Sequence, residues 1–163
     1  MPQLAYLITQ IPNMNRLGPI IVIEDDKDDQ ELLTDVFEKL PYTNELIFFT
    51  DGQTALDFLN EGEVTPFLIL SDINLPKLDG FALRSKIKMD ADLQTKCIPY
   101  LFFSTGASQK SVIDAYSMSV QGFFIKQNKI AELEKTIVVI MEYWARCVSP
   151  NNFLNVADSQ AVS

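Results

Sequence analysis

Acidic side chains follow two apolar segments of this chain, and their spacing suggests that they act together. The run Ile20–Ile23 is followed by Glu24 and Asp25, and the run 67–71 is followed by Asp72. A short apolar run bounded by turn residues is typical of a buried strand. Open α/β sheets bind ligands at the edge where the carboxyl ends of the strands meet. The sequence therefore predicts that these three carboxylates meet at one edge of a sheet.

A cluster of this kind favours a bound cation. Like charges at such spacing raise one another's pKa unless a cation lies between them. The hard oxygens of carboxylates, with no His or Cys nearby, suit Mg²⁺, which is usually held by one or two carboxylates together with a phosphate. The spacing alone leaves a second interpretation open, in which the acids form a solvated rim.

Two further predicted strands end in groups that could hold a phosphate. The fourth ends in Ser104-Thr105-Gly106, which offers a hydroxyl and backbone N–H groups. The fifth ends in Lys126, a basic residue in an acidic chain. Together with the acids, these groups fit a phosphoryl group held by metal, hydroxyl and ammonium. A carboxylate can also act as the nucleophile that forms an acyl phosphate, so we predict phosphoryl chemistry at this edge.

The composition of the chain excludes several other functions. Its 163 residues are enough for one domain, and 47% hydrophobic and 21% charged residues are ordinary for a globular protein. A net charge of −9 argues against binding to nucleic acid or anionic lipid. No apolar run approaches the roughly 20 residues of a membrane span. The chain has no histidine, which excludes Ser-His-Asp catalysis, histidine-ligated metals and a phosphohistidine of its own.

Strand-like and helix-like segments alternate along the chain. Apolar runs and turn residues predict strands at 20–23, 46–49, 67–71, 98–103 and 123–125. Helical periodicity predicts helices at 28–40, 54–60, 80–89, 108–117 and 130–144, with Asp79 as a cap of the third. Five strand–helix units with short connections imply an α/β fold, with a parallel sheet and helices on both faces.

The last predicted helix carries a broad apolar stripe. Its members recur at steps of three and four: Ile130, Leu133, Ile137, Ile140 and Trp144. Packing on the sheet explains most of this stripe. Its breadth leaves a partner surface open as a second role.

We divide the chain into an N-terminal extension at 1–18, a domain at 19–145 and a polar tail at 146–163. The extension lacks the basic start of a secretory signal, since Arg16 is its first basic residue. Met14 precedes the first strand, and two interpretations are open. Either Met14 is the biological start and residues 1–13 are a gene-model extension, or the extension packs on the domain. Cys97 and Cys147 share no motif spacing and are interpreted as free cytosolic thiols.

Four motifs, in their order along the chain, resemble those of the receiver domain of two-component response regulators. The resemblance covers residues 20–144. It rests on Glu24-Asp25, on Asp72 with Leu75-Pro76-Lys77-Leu78-Asp79-Gly80, on Ser104-Thr105-Gly106, and on Gly122-Phe123-Phe124-Ile125-Lys126. It implies a flavodoxin-like (βα)5 doubly wound sandwich whose five parallel strands have the order 2-1-3-4-5.

The resemblance also implies roles for the acidic residues. Asp72 would be the phospho-acceptor. Asp25, Asp72 and the backbone carbonyl of Asn74 would hold Mg²⁺, with Glu24 contributing directly or through water. Glu24 stands where the family more often has aspartate, and because its side chain is one methylene longer we expect a less direct metal contact.

On the fourth and fifth strands, the resemblance implies that Ser104, Phe123 and Lys126 respond to the phosphoryl group. Ser104 would be the switch hydroxyl, Phe123 the switch aromatic and Lys126 the phosphate-sensing lysine. Phe123 lacks the hydroxyl that a tyrosine would carry. Gln127 follows Lys126 where the family usually has proline, often after a cis bond. Because a cis bond before a non-proline residue costs about 2.5–4 kcal/mol, we predict a trans bond here.

These points together predict a single-domain, cytoplasmic response regulator. The Glu24-Asp25-Asp26 start and the tail pattern Trp144…Cys147…Pro150-Asn151 are similar to stand-alone receivers related to phytochrome-associated regulators. A histidine kinase or phosphotransfer protein would donate the phosphoryl group, and the output would be a protein contact. We expect no catalysis beyond phosphotransfer to itself and autodephosphorylation. We also expect a homodimer through the last helix or through the fourth helix, fifth strand and fifth helix, called here the 4-5-5 face.

Two other classes of protein compete with this interpretation. A pseudo-receiver would keep the fold as an interaction module without phosphorylation, and the intact Asp25, Asp72 and Lys126 argue against it. An enzyme of similar topology is the second. A phosphatase with an aspartyl nucleophile would have a second acid at the position of Asn74, two residues after the nucleophile. A flavodoxin would have a loop rich in Ser, Thr and Gly after the first strand, where this chain has Glu24 and its acidic neighbours.

Overall fold

Five parallel strands form the centre of the structure. The computed structural model describes residues 16–148. The strands are β1 Ile20–Ile23, β2 Leu46–Phe49, β3 Leu68–Ser71, β4 Tyr100–Ser104 and β5 Gly122–Ile125. They pair in the order β2-β1-β3-β4-β5, and every pair is parallel. The predicted α/β fold and strand order are confirmed.

One helix follows each strand. These helices are α1 Lys27–Lys39, α2 Gly52–Glu61, α3 Gly80–Met89, α4 Gln109–Ser117 and α5 Ile130–Arg146. A further short helix, Ala91–Thr95, directly follows α3 and is not predicted from the sequence. Five residues are too few to show a helical period. In the described part of the chain, none of the helices has the length and apolar character needed to cross a membrane.

Aspartate side chains fix where the first three helices begin. Asp26 caps α1 by accepting hydrogen bonds from two backbone N–H groups, so this helix begins one residue before the predicted start. Asp51 caps α2, which begins two residues early. Asp79 caps α3, whose bounds match the prediction. All three caps lie in loops that leave the carboxyl ends of the strands, so these helix starts surround that edge of the sheet.

Two hydrophobic layers cover the sheet. Successive side chains of a strand point to opposite faces. Ile21 and Ile69 therefore pack against α2, α3 and α4, whereas Ile20 and Leu68 pack against α1 and α5. All four side chains are fully buried. Because both faces are covered, the central strands are continuous apolar runs in the sequence, and this makes them easy to predict.

Helix α5 buries one side against the sheet and exposes an apolar pair on the other. Leu133, Ile137 and Ile140 from the predicted stripe are buried in the core. Val139 and Tyr143, one helical turn apart, are 62% and 61% exposed. The packing role of the stripe is therefore observed for its central members, and a separate apolar surface faces away from the sheet.

Predictions about the two chain ends lie outside the described residues. They concern Met14 as the start and the Pro150-Asn151 part of the tail. The division into 1–18, 19–145 and 146–163 stays a prediction.

Candidate functional site

The three acidic residues meet at the carboxyl ends of β1 and β3. Carboxylate oxygens of Glu24, Asp25 and Asp72 all lie within 4.8 Å of one another. The Asp72 N–H donates to the Ile23 carbonyl at 2.9 Å, which continues the β1–β3 ladder beyond its last paired residues and brings the two loops to the same level. Glu24 is buried, Asp72 is half-buried and Asp25 is exposed, so the cluster opens towards solvent on the Asp25 side.

Backbone groups and a glycine hold Asp72 in place. Its Oδ1 accepts a hydrogen bond from the Ile73 N–H at 2.6 Å, and its carbonyl accepts one from the Ser71 hydroxyl at 2.8 Å. A Cβ at Gly80 would lie only 2.2 Å from the Asp72 carbonyl oxygen, so only glycine allows this approach of α3. The Gly80 carbonyl in turn accepts a hydrogen bond from the buried Tyr100 hydroxyl at 3.1 Å.

Lys126 joins the acids from the end of β5. Its ammonium donates to Glu24, to Asp29 Oδ2 at 2.9 Å and to Asp72 Oδ2 at 3.1 Å. Its side chain is only 11% exposed. The bond between Lys126 and Gln127 is trans, as predicted, since the described residues contain no cis peptide bond. The three donors of the ammonium are thus matched by three carboxylates.

Burial and charge act in opposite directions on this cluster. Burial would lower the pKa of Lys126, but its hydrogen bonds with Glu24 and Asp29 and the surrounding negative charges outweigh it, so the pKa lies above its ordinary value. Burial raises the pKa of Glu24, and the hydrogen bond from Lys126 offsets this only in part. Three acids contact the one ammonium group, and a fourth, Asp25, lies within 4.8 Å of Glu24 and Asp72. This excess of hard oxygen ligands fits a divalent cation such as Mg²⁺.

Of the other predicted site residues, Ser104 contacts the cluster only through its backbone, whose carbonyl accepts a hydrogen bond from the Lys126 N–H at 2.7 Å. Ser104 is buried, and its hydroxyl donates to the Gly106 carbonyl at 2.9 Å. Phe123 is half-buried and packs against Phe102, with ring centroids 6.0 Å apart. Asn74 is exposed in the loop after β3. The structure therefore brings together the acids and the lysine. It places Ser104 at the end of β4 and Phe123 inside β5, three residues before Lys126.

A salt bridge supports the loop that carries Asn74. Lys77 has a positive φ of 63° and its ammonium lies 3.2 Å from Oδ2 of the buried Asp51. Asp51 also caps α2 through the Thr54 N–H at 2.8 Å. Since one carboxylate serves both elements, the loop after β3 is tied to the start of α2.

Sequence reasoning missed Asp29, which contacts Lys126. A cavity of about 40 Å³ lies beside this contact, and its polar lining includes Thr105, Gln127 and Asn128. The signal available in the sequence is weak. Asp29 lies in the first turn of a helix that leaves the acidic loop, but several acids occupy that turn, and only the helix phase selects one.

The comparison with known proteins gives the class. The family model of the response regulator receiver domain matches residues 20–138. This chain therefore belongs to the receiver domain family of two-component signalling proteins, in agreement with its strand order and acidic cluster. Receiver domains interact with histidine kinases or phosphotransfer proteins.

Its relatives include single-domain response regulators. Response regulator Rcp1 of Synechocystis sp. is 33% identical over 135 residues, which are 80% of this chain and 90% of Rcp1. The probable methanogenesis regulatory protein FilR2 of Methanothrix harundinacea is 33% identical over 129 residues, 77% of this chain and 82% of FilR2.

Solved structures agree with this class. The crystal structure of the Mn(2+)-bound form of Rcp1 has a TM-score of 0.70 and 32% identity, covering 80% of this chain and 96% of that one. The crystal structure of the phosphorylated cyanobacterial phytochrome response regulator RcpA has a TM-score of 0.73 and 27% identity. It covers 82% of this chain and 98% of that one.

Proposed function

We propose that this protein is a single-domain response regulator that accepts a phosphoryl group on Asp72 from a histidine kinase or phosphotransfer protein. The observation that carries the proposal is the position of Asp72 within hydrogen-bonding distance of Lys126 and within 4.8 Å of two further carboxylates. Asp72 combines access to solvent with both a candidate metal site and an ammonium group. Phosphorylated RcpA and Mn(2+)-bound Rcp1 supply the precedent among relatives.

Asp25, Asp72 and the Asn74 carbonyl would hold the metal, with Glu24 as a direct or water-mediated ligand. Both Glu24 oxygens have protein partners, the Asp26 N–H at 3.0 Å and Lys126, which favours the water-mediated role. When bound, Mg²⁺ would supply positive charge against the phosphoryl oxygens.

The proposed reaction exchanges one bond for another. A carboxylate oxygen of Asp72 attacks the phosphorus of the donor phosphohistidine, the P–N bond breaks, and the imidazole leaves with the bonding electron pair. The product is an acyl phosphate on Asp72. Lys126, whose pKa is raised, stays protonated and donates a hydrogen bond to the new phosphoryl group. Ser104 supplies a second donor once its hydroxyl turns away from the Gly106 carbonyl.

Phosphorylation would act on the 4-5-5 face. The acyl phosphate carries about two negative charges beside Lys126, where the Asp72 carboxylate carried one. The Lys126 N–H is bonded to the Ser104 carbonyl at 2.7 Å. Movement of Ser104 and Phe123 would then reach α4 and β5. The 4-5-5 face already exposes apolar side chains, with Ile113 60% and Tyr116 55% exposed.

We further propose that the protein forms a homodimer through this face or through α5. The exposed pair on α5, Val139 and Tyr143, supports the second arrangement. Light scattering on the full chain, with and without beryllofluoride, would show a dimer in at least one state. A monomer in both states would contradict the proposal.

Free thiols at Cys97 and Cys147 support action in the cytoplasm.

Phosphorylation itself is tested with acetyl phosphate and Mg²⁺. Labelling is measured as a mass increase of about 80 Da on the intact protein, which corresponds to one phosphoryl group. Asp72→Asn should abolish this increase, and a chelator should abolish it in the wild type. Asp35→Asn, at an exposed position of α1, is the matched control and should label normally. Labelling of Asp72→Asn would contradict the assignment of Asp72 as the phospho-acceptor. A wild type that is never labelled would favour the alternative of a pseudo-receiver without phosphorylation.

A further inference from the structure

Asp29 stands out because it contacts Lys126 but lies apart from the three clustered acids. It is the third residue of α1, and its Oδ2 accepts a hydrogen bond from the Lys126 ammonium at 2.9 Å. Its side chain is 34% exposed, compared with 11% for Lys126. The charge of Asp29 is also favourable where it lies, since the first turn of a helix stabilises negative groups.

We propose that Asp29 is a positioning residue that holds the Lys126 ammonium over Asp72 during phosphorylation. This inference rests on the proposed function of the site. Lysine carries its charge on a flexible four-carbon stem, and the trans bond to Gln127 follows directly after it. The backbone of Lys126 is anchored at the Ser104 carbonyl, but its ammonium depends on side-chain carboxylates for its position.

Phosphorylation would change the surroundings of the three carboxylates around the ammonium to different extents. Asp72 becomes the acyl phosphate, and Glu24 gains the metal ion, or a water bound to it, as a further partner. Asp29 is not part of the three-residue cluster that could hold a metal ion. It is therefore the one of the three carboxylates that gains no new partner in the proposed reaction.

A matched pair of variants separates this role from simple loss of charge. Asp28→Asn removes one negative charge from the same helical turn, and Asp28 is exposed and absent from the Lys126 contacts. Asp29→Asn removes the same charge together with the charged contact to Lys126. We expect Asp29→Asn to lower the initial rate of labelling by acetyl phosphate about tenfold. This is the lower end of the loss of activity that follows mutation of residues supporting the primary ligands of a site. Asp28→Asn should stay within about twofold of the wild type, as expected for a surface change.

Two further measurements test the route through Lys126. Calorimetric titration with Mg²⁺ should give Kd values within about twofold for the two variants, because they have equal charge and neither changes a metal ligand. In a Lys126→Met background, Asp29→Asn should have no further effect on the labelling rate, since contacting residues are non-additive. Partial recovery of the rate in Asp29→Glu would support positioning by charge.

The outcomes are distinguishable. Equal labelling rates for Asp28→Asn and Asp29→Asn would overturn the role of Asp29 while leaving the phosphorylation of Asp72 intact. An unchanged tenfold loss in the Lys126→Met background would also overturn it, because Asp29 would then act through another group. Failure of the wild type to label would instead remove the proposed function on which the inference rests.

Discussion

Gly80 lies where α3 begins, directly against the backbone that carries Asp72. A Cβ at this position would lie 2.2 Å from the Asp72 carbonyl oxygen, 2.9 Å from a ring carbon of Phe102 and 3.0 Å from the Ile73 Cα. The Gly80 N–H also donates to the Ile73 carbonyl at 2.8 Å, and its carbonyl accepts from Tyr100. The glycine therefore cannot withdraw without breaking hydrogen bonds, and we expect Gly80→Ala to destabilise the protein.

The size of the effect follows from the overlap. Overpacking of a core typically costs about 1–3 kcal/mol, and a contact with a fixed main-chain oxygen belongs at the upper end of that range. About 0.4–1 kcal/mol is regained, because alanine restricts the unfolded chain more than glycine does. We expect a net loss of about 2 kcal/mol in the free energy of unfolding, from the difference between these two effects.

Gly106 provides the control for this prediction. A Cβ at Gly106 would meet nothing within 4 Å, so Gly106→Ala should leave stability unchanged or raise it by up to about 1 kcal/mol. Urea denaturation followed by the fluorescence of Trp144, the single tryptophan, measures both variants. Labelling of Gly80→Ala by acetyl phosphate should also be slower than that of the wild type, because the clash displaces Asp72. Equal urea midpoints for the two variants would refute the reasoning.

Two further predictions concern buried charges away from the acidic cluster. The buried Arg84 donates to two carbonyls at the end of α4, at 3.2 and 2.8 Å. Arg84→Met should lower the free energy of unfolding by about 3 kcal/mol, since bonds of this kind contribute about 1.5–3 kcal/mol each, whereas the exposed Arg146→Met should change it by less than about 0.5 kcal/mol. The backbone hydrogen bond from Thr54, assisted by Lys77 and opposed by burial, holds the pKa of Asp51 below its ordinary value. The stability from this ionised group is present above pH ~4 and is lost as the pH falls through the lowered folded-state value. The difference in free energy of unfolding between wild type and Asp51→Ala, measured by urea titration, should therefore shrink as the pH falls below about 4. A constant difference between about pH 7 and pH 3 would contradict this prediction.

The fold could be predicted because its strands and their ends carry separate signals. Ile20–Ile23 and Leu68–Ser71 are buried and covered on both faces, so all their residues except Ser71 are apolar, and each strand is followed by an acid at the carboxyl edge. The errors have local causes. Capping by Asp51 starts α2 two residues early, and the five residues of the helix Ala91–Thr95 are too few to show a helical repeat of apolar positions.

The site could be predicted only as far as strand ends fix positions. Asp72 and Lys126 meet because β3 and β5 end at the same edge. Asp29 could not be chosen over Asp28, because that choice depends on the helix phase, which the Asp26 cap sets. The orientation of the Ser104 hydroxyl is likewise a rotamer choice between nearby acceptors, and residue type does not encode it.

Asp72 and Lys126 are held by different kinds of interaction, and this difference bears on how a signal would leave the site. Asp72 is fixed by main-chain neighbours, the Ile73 N–H and the close-packed Gly80. Within residues 16–148, the side chains that hold the Lys126 ammonium are all carboxylates. We therefore expect a change of charge at the cluster to act on Lys126 before it moves Asp72. Because the Lys126 N–H is bonded to the Ser104 carbonyl at 2.7 Å, we expect any such movement to pass first to the end of β4 and from there to α4.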